Sequence, residues 1–215
     1  MTKPVVLASS SPRRREILEK TGLKFMVDAA EINEDHGRRM KPAELAKTIS
    51  LEKAKVVAAR HPCSIIIAAD TFGVLGGRML GKPRDENAAR DMLGRMSGRR
   101  HRVVTGFTIL DTETGKAVSK AVETKVYFRK LDSEEIEAYV KTGEPLDKAG
   151  AYAIQGMGAL LVEKIEGDYY NVIGLPLSSL ARELKRFGVK LPGGLSTASP
   201  RIHRPTSPLK KPPVN

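Results

Sequence analysis

The sequence predicts a mixed α/β fold rather than a doubly wound parallel sheet. Short apolar strands alternate with helices through the first hundred residues. Two long β-rich segments, Arg102–Leu110 and Ala117–Lys130, then flank the turn Asp111-Thr112-Glu113-Thr114-Gly115, as in an antiparallel hairpin. Beyond Leu191 the chain is rich in Pro, Gly, Ser and Thr and has almost nothing to bury. The expected organisation is therefore one folded unit over 1–191 and a disordered, basic, Pro-rich tail over 192–215.

Val5–Ala8 reads as a strand. Pro12–Thr21 reads as a helix with Ser11 as N-cap, Pro12 at its first position and Gly22 as its stop. Lys24–Asp28 is a short strand, followed by a polar loop through Glu31, Asn33, Glu34, Asp35 and His36. The apolar spacing of Leu45, Ile49, Ala54, Val56 and Val57 predicts a long helix over Pro42–Arg60, with Lys53 on its more exposed side. Ser64–Ala69 is a buried strand, and its neighbour Cys63 reads as a small core-edge thiol. Thr71–Leu80 suggests a hairpin turning at Gly76-Gly77, and Asp85 caps a helix to Met96. Asp132 and Glu135 have the spacing of a capping box for a helix through Tyr139. Ala159–Ile165 and Tyr169–Ile173 read as two strands, and Pro176 opens a last helix ending near Gly188.

The most informative local pattern is Ser9-Ser10-Ser11-Pro12-Arg13-Arg14-Arg15. A strand that turns directly into a helix aims free N–H groups and a positive dipole end at one spot, which favours an anion. Hydroxyls add donors, and arginine forks match phosphate oxygens. Alone, the run reads equally well as a capped surface helix with solvated arginines.

Charge narrows the partner classes. The net charge is +12, of which Arg201, Arg204, Lys210 and Lys211 in the tail contribute four. That excess favours polyanions or nucleotides. With aromatic residues at 5% and no nucleic-acid-binding module, specific recognition of nucleic acid is not expected. No apolar stretch reaches membrane-spanning length and no signal pattern opens the chain, so a cytoplasmic protein with no membrane association is the expectation.

Several known chemistries are excluded. Cys63 is the single cysteine, and His36, His61, His101 and His203 lack the spacing of a zinc site. Gly81-Lys82-Pro83 is not a P-loop, and Gly156-Met157-Gly158 is not a dinucleotide fingerprint. What remains is a set of polar residues beside apolar elements. Asp70-Thr71 ends a buried strand, where an acid suits metal or water chemistry but also serves as an ordinary turn residue. Lys82 stands in a turn, where a solvated lysine is equally ordinary. The polar, glycine-rich loop Gly143–Gly156 is long enough to suggest a purpose.

These blocks together resemble the Maf family of nucleotide pyrophosphatases. The resemblance spans roughly residues 4–190. It is carried by Ala8-Ser9-Ser10-Ser11-Pro12-Arg13-Arg14, Ala69-Asp70-Thr71, Gly81-Lys82-Pro83, Ser97-Gly98 with His101 and Thr105, Gly143–Tyr152, Ile154-Gln155-Gly156 and Asn171–Pro176. It implies a fold shared with inosine-triphosphate pyrophosphatases, with two lobes around a cleft. It also implies hydrolysis of a nucleoside triphosphate between the α and β phosphates, with a divalent metal. Family members are often dimers, so a homodimer is carried over. The family name is also attached to cell-division regulation. A non-catalytic regulator and a nucleic-acid-binding protein are the alternative readings.

On this resemblance Ser9, Ser11, Arg13, Arg14, Lys53 and Lys82 bind the substrate, with the four cations placed for the phosphates. Glu34 and Asp70 are hard oxygen donors of the kind Mg²⁺ or Mn²⁺ takes, and Co²⁺ is a third candidate. The family assigns proton abstraction from the attacking water to Asp70, while the residues alone leave base and metal ligand equally open. The family's pyrimidine branch, acting on dTTP, UTP and modified uridines, carries Ala-Tyr-x-Ile-Gln-Gly. Ala151-Tyr152-Ala153-Ile154-Gln155-Gly156 matches it, and Arg13 and Thr71 match that branch's specificity positions. The other branch acts on 7-methyl-GTP. Phe72-Gly73 departs from the branched aliphatics usual after the Asp-Thr pair. A house-cleaning role against non-standard nucleotides would follow.

Overall fold

The computed structural model describes residues 3–32 and 40–192. The Glu34 assignment and almost all of the tail assignment fall outside the described residues.

In chain order the elements are β1 (Val5–Leu7), α1 (Pro12–Glu19), β2 (Met26–Val27), α2 (Pro42–Ala58), β3 (Ile65–Leu75) and β4 (Arg78–Leu80). Then come α3 (Glu86–Met96), β5 (Arg100–Asp111), β6 (Ala117–Phe128) and α4 (Ser133–Lys141). The chain ends with β7 (Val162–Glu166), α5 (Tyr169–Ile173) and α6 (Leu177–Arg186), with 3-10 turns at Glu144–Asp147 and Met157–Leu161. The sheet is mixed: β2-β1-β3 pair in parallel, and β3-β5-β6-β7 continue antiparallel. This is the mixed α/β architecture expected, a seven-stranded mixed sheet among the described residues, flanked by helices.

Residues alternate across the sheet as strand geometry requires. Ile65, Ile67 and Ala69 of β3 pack with α1 and α6 on one face. Ile66 and Ala68 pack with Ala54 and Val57 of α2 on the other, and Phe72 and Val74 continue that face against Leu45, Ala46 and Ile49. A further core, around Leu93, Met96, Val126, Phe128, Tyr139 and Tyr152, lies under α3 and α4.

The feature that creates the site is an interruption along one edge of β3. Strand β5 occupies the other edge without a break from Ile65 to Val74. On the first edge β1 pairs with Ile65–Ile67 and β4 with Gly73–Leu75. The last β1-side bond runs from Ala8 N to Ile67 O at 2.7 Å. Between the two partners, residues 69–72 border an opening in the sheet, so side chains from both faces of β3 reach one cleft.

Local choices explain most elements. Ser11 caps α1 with Pro12 in its first turn, Asp85 accepts from Ala88 N at 2.8 Å, and Asp132 and Glu135 form the capping box. The β3–β4 hairpin turns at Gly76 and Gly77, both with positive φ, as a tight two-residue turn demands. The close approach of α2 to the sheet depends on Gly106 of β5. A Cβ there would lie 2.2 Å from the carbonyl carbon and oxygen of Ala46.

Four expectations change. The strand expected to end before Asp70 continues to Leu75, because β5 supports it throughout. Tyr169–Ile173 is a helix rather than a strand. Asp168 caps it by accepting from Asn171 N at 3.1 Å, and this outweighs the β preference of the two tyrosines. Ala159–Leu161 belongs to a 3-10 turn, so the neighbouring strand begins only at Val162. Cys63 is exposed at a turn with φ +52°, not at the core edge.

Candidate active site

Lys53 and Asp70 meet from two elements at the cleft floor. Asp70 lies on the α2 face of β3, opposite Gly106 in register, and the close approach that Gly106 permits brings α2 within reach. Lys53 Nζ donates to Asp70 Oδ1 at 2.8 Å, with Lys53 6% and Asp70 3% exposed. Lys53 is thus buried, contrary to the exposed side expected. It shares the buried stripe of α2 with Leu45, Ile49 and Val57. Two opposite charges this deep are tolerable because each offsets the other's lost hydration.

On the opposite face of β3, Arg14 organises the hydroxyls. Its Nε donates to Gly174 O at 2.9 Å, Nη1 to Ser9 Oγ at 3.2 Å and Nη2 to Thr71 Oγ1 at 3.1 Å. Three of the five guanidinium N–H groups therefore hold the β1–α1 turn, β3 and the α5–α6 junction together. Thr105 Oγ1 donates to Asn171 O at 2.9 Å and lies 2.9 Å from Thr71 Oγ1, which also approaches Gly174 O at 3.4 Å. Ser9 Oγ also accepts from Ser11 N at 3.3 Å, which shapes the turn before the helix.

The cleft, about 520 Å³, is lined by Ser9, Ser11, Arg13, Arg14, Lys53, Asp70, Thr71, Lys82 and Gln155. Every expected site residue that lies among the described residues is in this one cavity. Arg13 and Thr71 are half-buried, while Lys82 and Gln155 are exposed at the cleft wall. The β1–α1 turn and the start of α1 supply Ser9, Arg13 and Arg14, while the segments after β4 and before the 3-10 turn at Met157 supply Lys82 and Gln155.

The cavity also contains residues not singled out as site residues. Lys148 and Asp147 line it and form an ion pair. Lys148 beside it, together with the Arg13 charge, holds Asp147 below the usual carboxylate range. The signal available in the sequence was another lysine in the Gly143–Gly156 loop. His101 lines the cavity too, at 2% exposure, with Nε2 2.9 Å from Tyr152 Oη. Its ring meets Phe128 and Tyr152 edge-on.

Burial pushes the His101 imidazole down to about 4, so the ring is neutral in the folded protein. In the unfolded chain it takes up a proton near pH 6.5. Stability should therefore fall as pH drops from about 6.5 to about 4, with an order of magnitude of a few kcal/mol. Urea unfolding of the protein and of His101→Gln across this window checks the assignment. The slope between those pH values should flatten in the variant, and an unchanged slope would assign the acid lability to other groups.

The cation-lined end suits a polyanion, the buried carboxylate suits water or metal chemistry, and the Gln155 amide offers one donor and one acceptor to a planar ring. Among the described residues no group of three metal-ligating side chains forms. No helix of the described residues is long and apolar enough to cross a membrane.

The family model for Maf-like proteins matches residues 4–187, nearly the whole described chain. The chain belongs to the Maf family. A relative from Dictyoglomus turgidum named dTTP/UTP pyrophosphatase is 47% identical over 89% of this chain and all of its own length. Proteins of the same name from Moorella thermoacetica and Methanosarcina barkeri are 49% and 46% identical. Each match spans 88% of this chain, and 97% and 96% of theirs. Among solved structures, a HAM1 protein from Coxiella burnetii aligns with a TM-score of 0.43 at 15% identity, over 86% of this chain and 100% of that one. For this Maf protein the matched segment contains every strand of the sheet and every cleft residue named above.

Proposed function

We propose that this Maf protein hydrolyses dTTP and UTP to the nucleoside monophosphate and pyrophosphate. The observation that carries the reading is the cleft itself. Gln155 stands on the wall of the same cavity that collects Arg13, Arg14, Lys53 and Lys82 around Asp70. The relatives named dTTP/UTP pyrophosphatase give the reading its substrate pair.

In this mechanism the triphosphate lies along the cations, and the base reaches Gln155. A water oxygen bonds to the α-phosphorus as the bond to the α–β bridging oxygen breaks, and the electron pair leaves with pyrophosphate. Asp70 accepts the proton of the attacking water. Lys53 holds the carboxylate in place, and Arg13, Arg14 and Lys82 offset charge that grows on the leaving group. Arg14 acts mainly by fixing Ser9 and Thr71, since their hydroxyls occupy its N–H groups.

A divalent cation fits this donor set. Mg²⁺ commonly takes one or two carboxylates together with substrate phosphates. Asp70 supplies a buried hard oxygen in the cleft that collects the cations, and the family resemblance assigns Glu34 as the second carboxylate. Bound there, the ion would screen phosphate charge and polarise the reacting phosphoryl group. By the same reading the enzyme is cytoplasmic and homodimeric.

A pyrophosphate-release screen over natural and modified nucleoside triphosphates with Mg²⁺, Mn²⁺ or Co²⁺ tests the proposal. dTTP and UTP should lead the series, and faster turnover of purine nucleotides or release of orthophosphate would overturn it. Gln155→Glu adds a second test. The amide can donate to O4 and accept from N3–H, whereas an ionised carboxylate only accepts. An acceptor facing O4 costs roughly 1–3 kcal/mol, or about five- to 150-fold in kcat/KM for UTP. Binding of inorganic tripolyphosphate should change far less. Equal losses for both would show that Gln155 supports the loop and does not read the base.

A further inference from the structure

Glu144 stands outside the cleft, yet its carboxylate gathers the loop that carries Gln155. Oε1 accepts from Tyr139 Oη at 2.7 Å and from Gly158 N at 3.0 Å, and Oε2 accepts from Met157 N at 3.1 Å. Tyr139 Oη in turn accepts from Ala153 N at 3.2 Å. The four bonds grip the backbone two residues before Gln155 and two and three residues after it. The neighbour on its C-terminal side is Gly156, where a Cβ would lie 2.1 Å from Glu144 Oε2. The carboxylate therefore sits directly behind the loop, against the one residue type that admits it.

The rest of the segment is anchored by burial. Ala151 adopts φ +57° and is fully buried, and Tyr152 reaches His101. Of residues 151–156, Gln155 is the one that presents an exposed, hydrogen-bonding side chain to the cleft. Burial raises the Glu144 carboxyl, but donors from Tyr139, Gly158 and Met157 outweigh it and hold the group below its ordinary value. It is ionised at neutral pH.

We propose that Glu144, with Tyr139 as its bridge, is the positioning residue that holds Gln155 in register for the nucleobase. This rests on the reading that Gln155 contacts the base. Glu144→Gln replaces one acceptor oxygen with an NH₂ group. Whichever way the amide turns, a donor then faces a donor, either Met157 N–H or the Tyr139 and Gly158 pair. Tyr139→Phe removes the link to Ala153 N and leaves the bonds from Met157 and Gly158 in place.

The test is steady-state UTP hydrolysis alongside the Kd of inorganic tripolyphosphate, for Glu144→Gln, Tyr139→Phe, Gln155→Ala and the double variant Glu144→Gln/Gln155→Ala. Glu144→Gln should raise KM for UTP about tenfold and Tyr139→Phe by a smaller factor, with tripolyphosphate affinity held within about twofold. The double variant should be no worse than Gln155→Ala, because Glu144 acts through that side chain. If Gln155→Ala raises KM and neither clamp variant does, the clamp inference falls. The same holds if tripolyphosphate binding weakens in parallel with UTP, or if the two changes multiply. If Gln155→Ala leaves KM unchanged, the base-reading assignment fails instead. Should Glu144→Gln fail to fold, Tyr139→Phe decides the matter by the same two measurements.

Discussion

Asp70→Asn should lower the kcat of UTP hydrolysis by about a hundred- to ten-thousand-fold, while the thermal transition stays cooperative but moves to lower temperature as buried Lys53 loses this counter-charge. The side chain keeps its shape and its amide oxygen still accepts from Lys53 Nζ, so the fold is retained, but the neutral amide no longer offsets the buried ammonium charge. What disappears is the negative charge and the capacity to take a proton. Both proposed uses of the group, as proton acceptor and as hard oxygen donor, need that charge. Kinetics and a melting curve on the same sample make the check. A variant that keeps near-parental turnover removes Asp70 from the chemistry, and one that has lost its cooperative transition says that the Lys53–Asp70 pair is mainly structural.

The second large effect is expected far from any reacting group. Gly106→Ala places a methyl 2.2 Å from the carbonyl carbon and oxygen of Ala46 and 2.6 Å from Lys47 N, all backbone atoms of α2. No rotamer change relieves such a contact, so the helix must move. Overpacking of this kind costs about 3 kcal/mol or more, which for a chain of this length lowers Tm by roughly 6–12 °C. The shift also draws Lys53, two turns along the same helix, away from Asp70, so activity per folded molecule should fall as well. Gly94→Ala is the matched control. It lies within α3 on an exposed side, and its Cβ meets nothing within 4 Å. That change should be neutral or stabilising by roughly 0.5–1 kcal/mol. Equal melting temperatures for the two variants would show that α2 does not rest on Gly106 as tightly as the geometry requires.

Much of the site was readable because its chemistry is concentrated in local motifs. The strand–serine–proline–arginine run gave the cap and a turn whose residues line the cleft, and Asp132 with Glu135 gave a complete capping box. Lys53 is less legible because apolar residues mark the buried face of a helix, and a lysine counts against a buried position. Its place four residues after Ile49 and four before Val57, on the face that also carries Leu45, was the available clue. The partner that makes its burial tolerable is on another element and cannot be seen in helical spacing. Tyr169–Ile173 misled for a related reason. Local β preference was read correctly, but one cap at Asp168 and the packing of Asn171 against Val103 O and Thr124 Oγ1 decided the conformation. The role of Glu144 could not be read at all, since its three donors come from Tyr139, Met157 and Gly158, five to fourteen positions away along the chain.

The opening along β3 also has a mechanical meaning. Strands β3 and β5 run past it unbroken, so the cleft is a notch cut into one side of a beam. A notched beam bends about its uncut side. The uncut side of that notch is the pairing of residues 69–72 with 104–107, which joins the strand segments before and after the opening. Asp70 and Thr71 lie on that uncut pairing, opposite Gly106 and Thr105. Lys82 and Gln155 stand on segments outside that pairing, exposed at the cleft wall. The proposed reacting centre thus stands on the continuous part of the beam, and the residues proposed to grip the two ends of the substrate stand beside the cut.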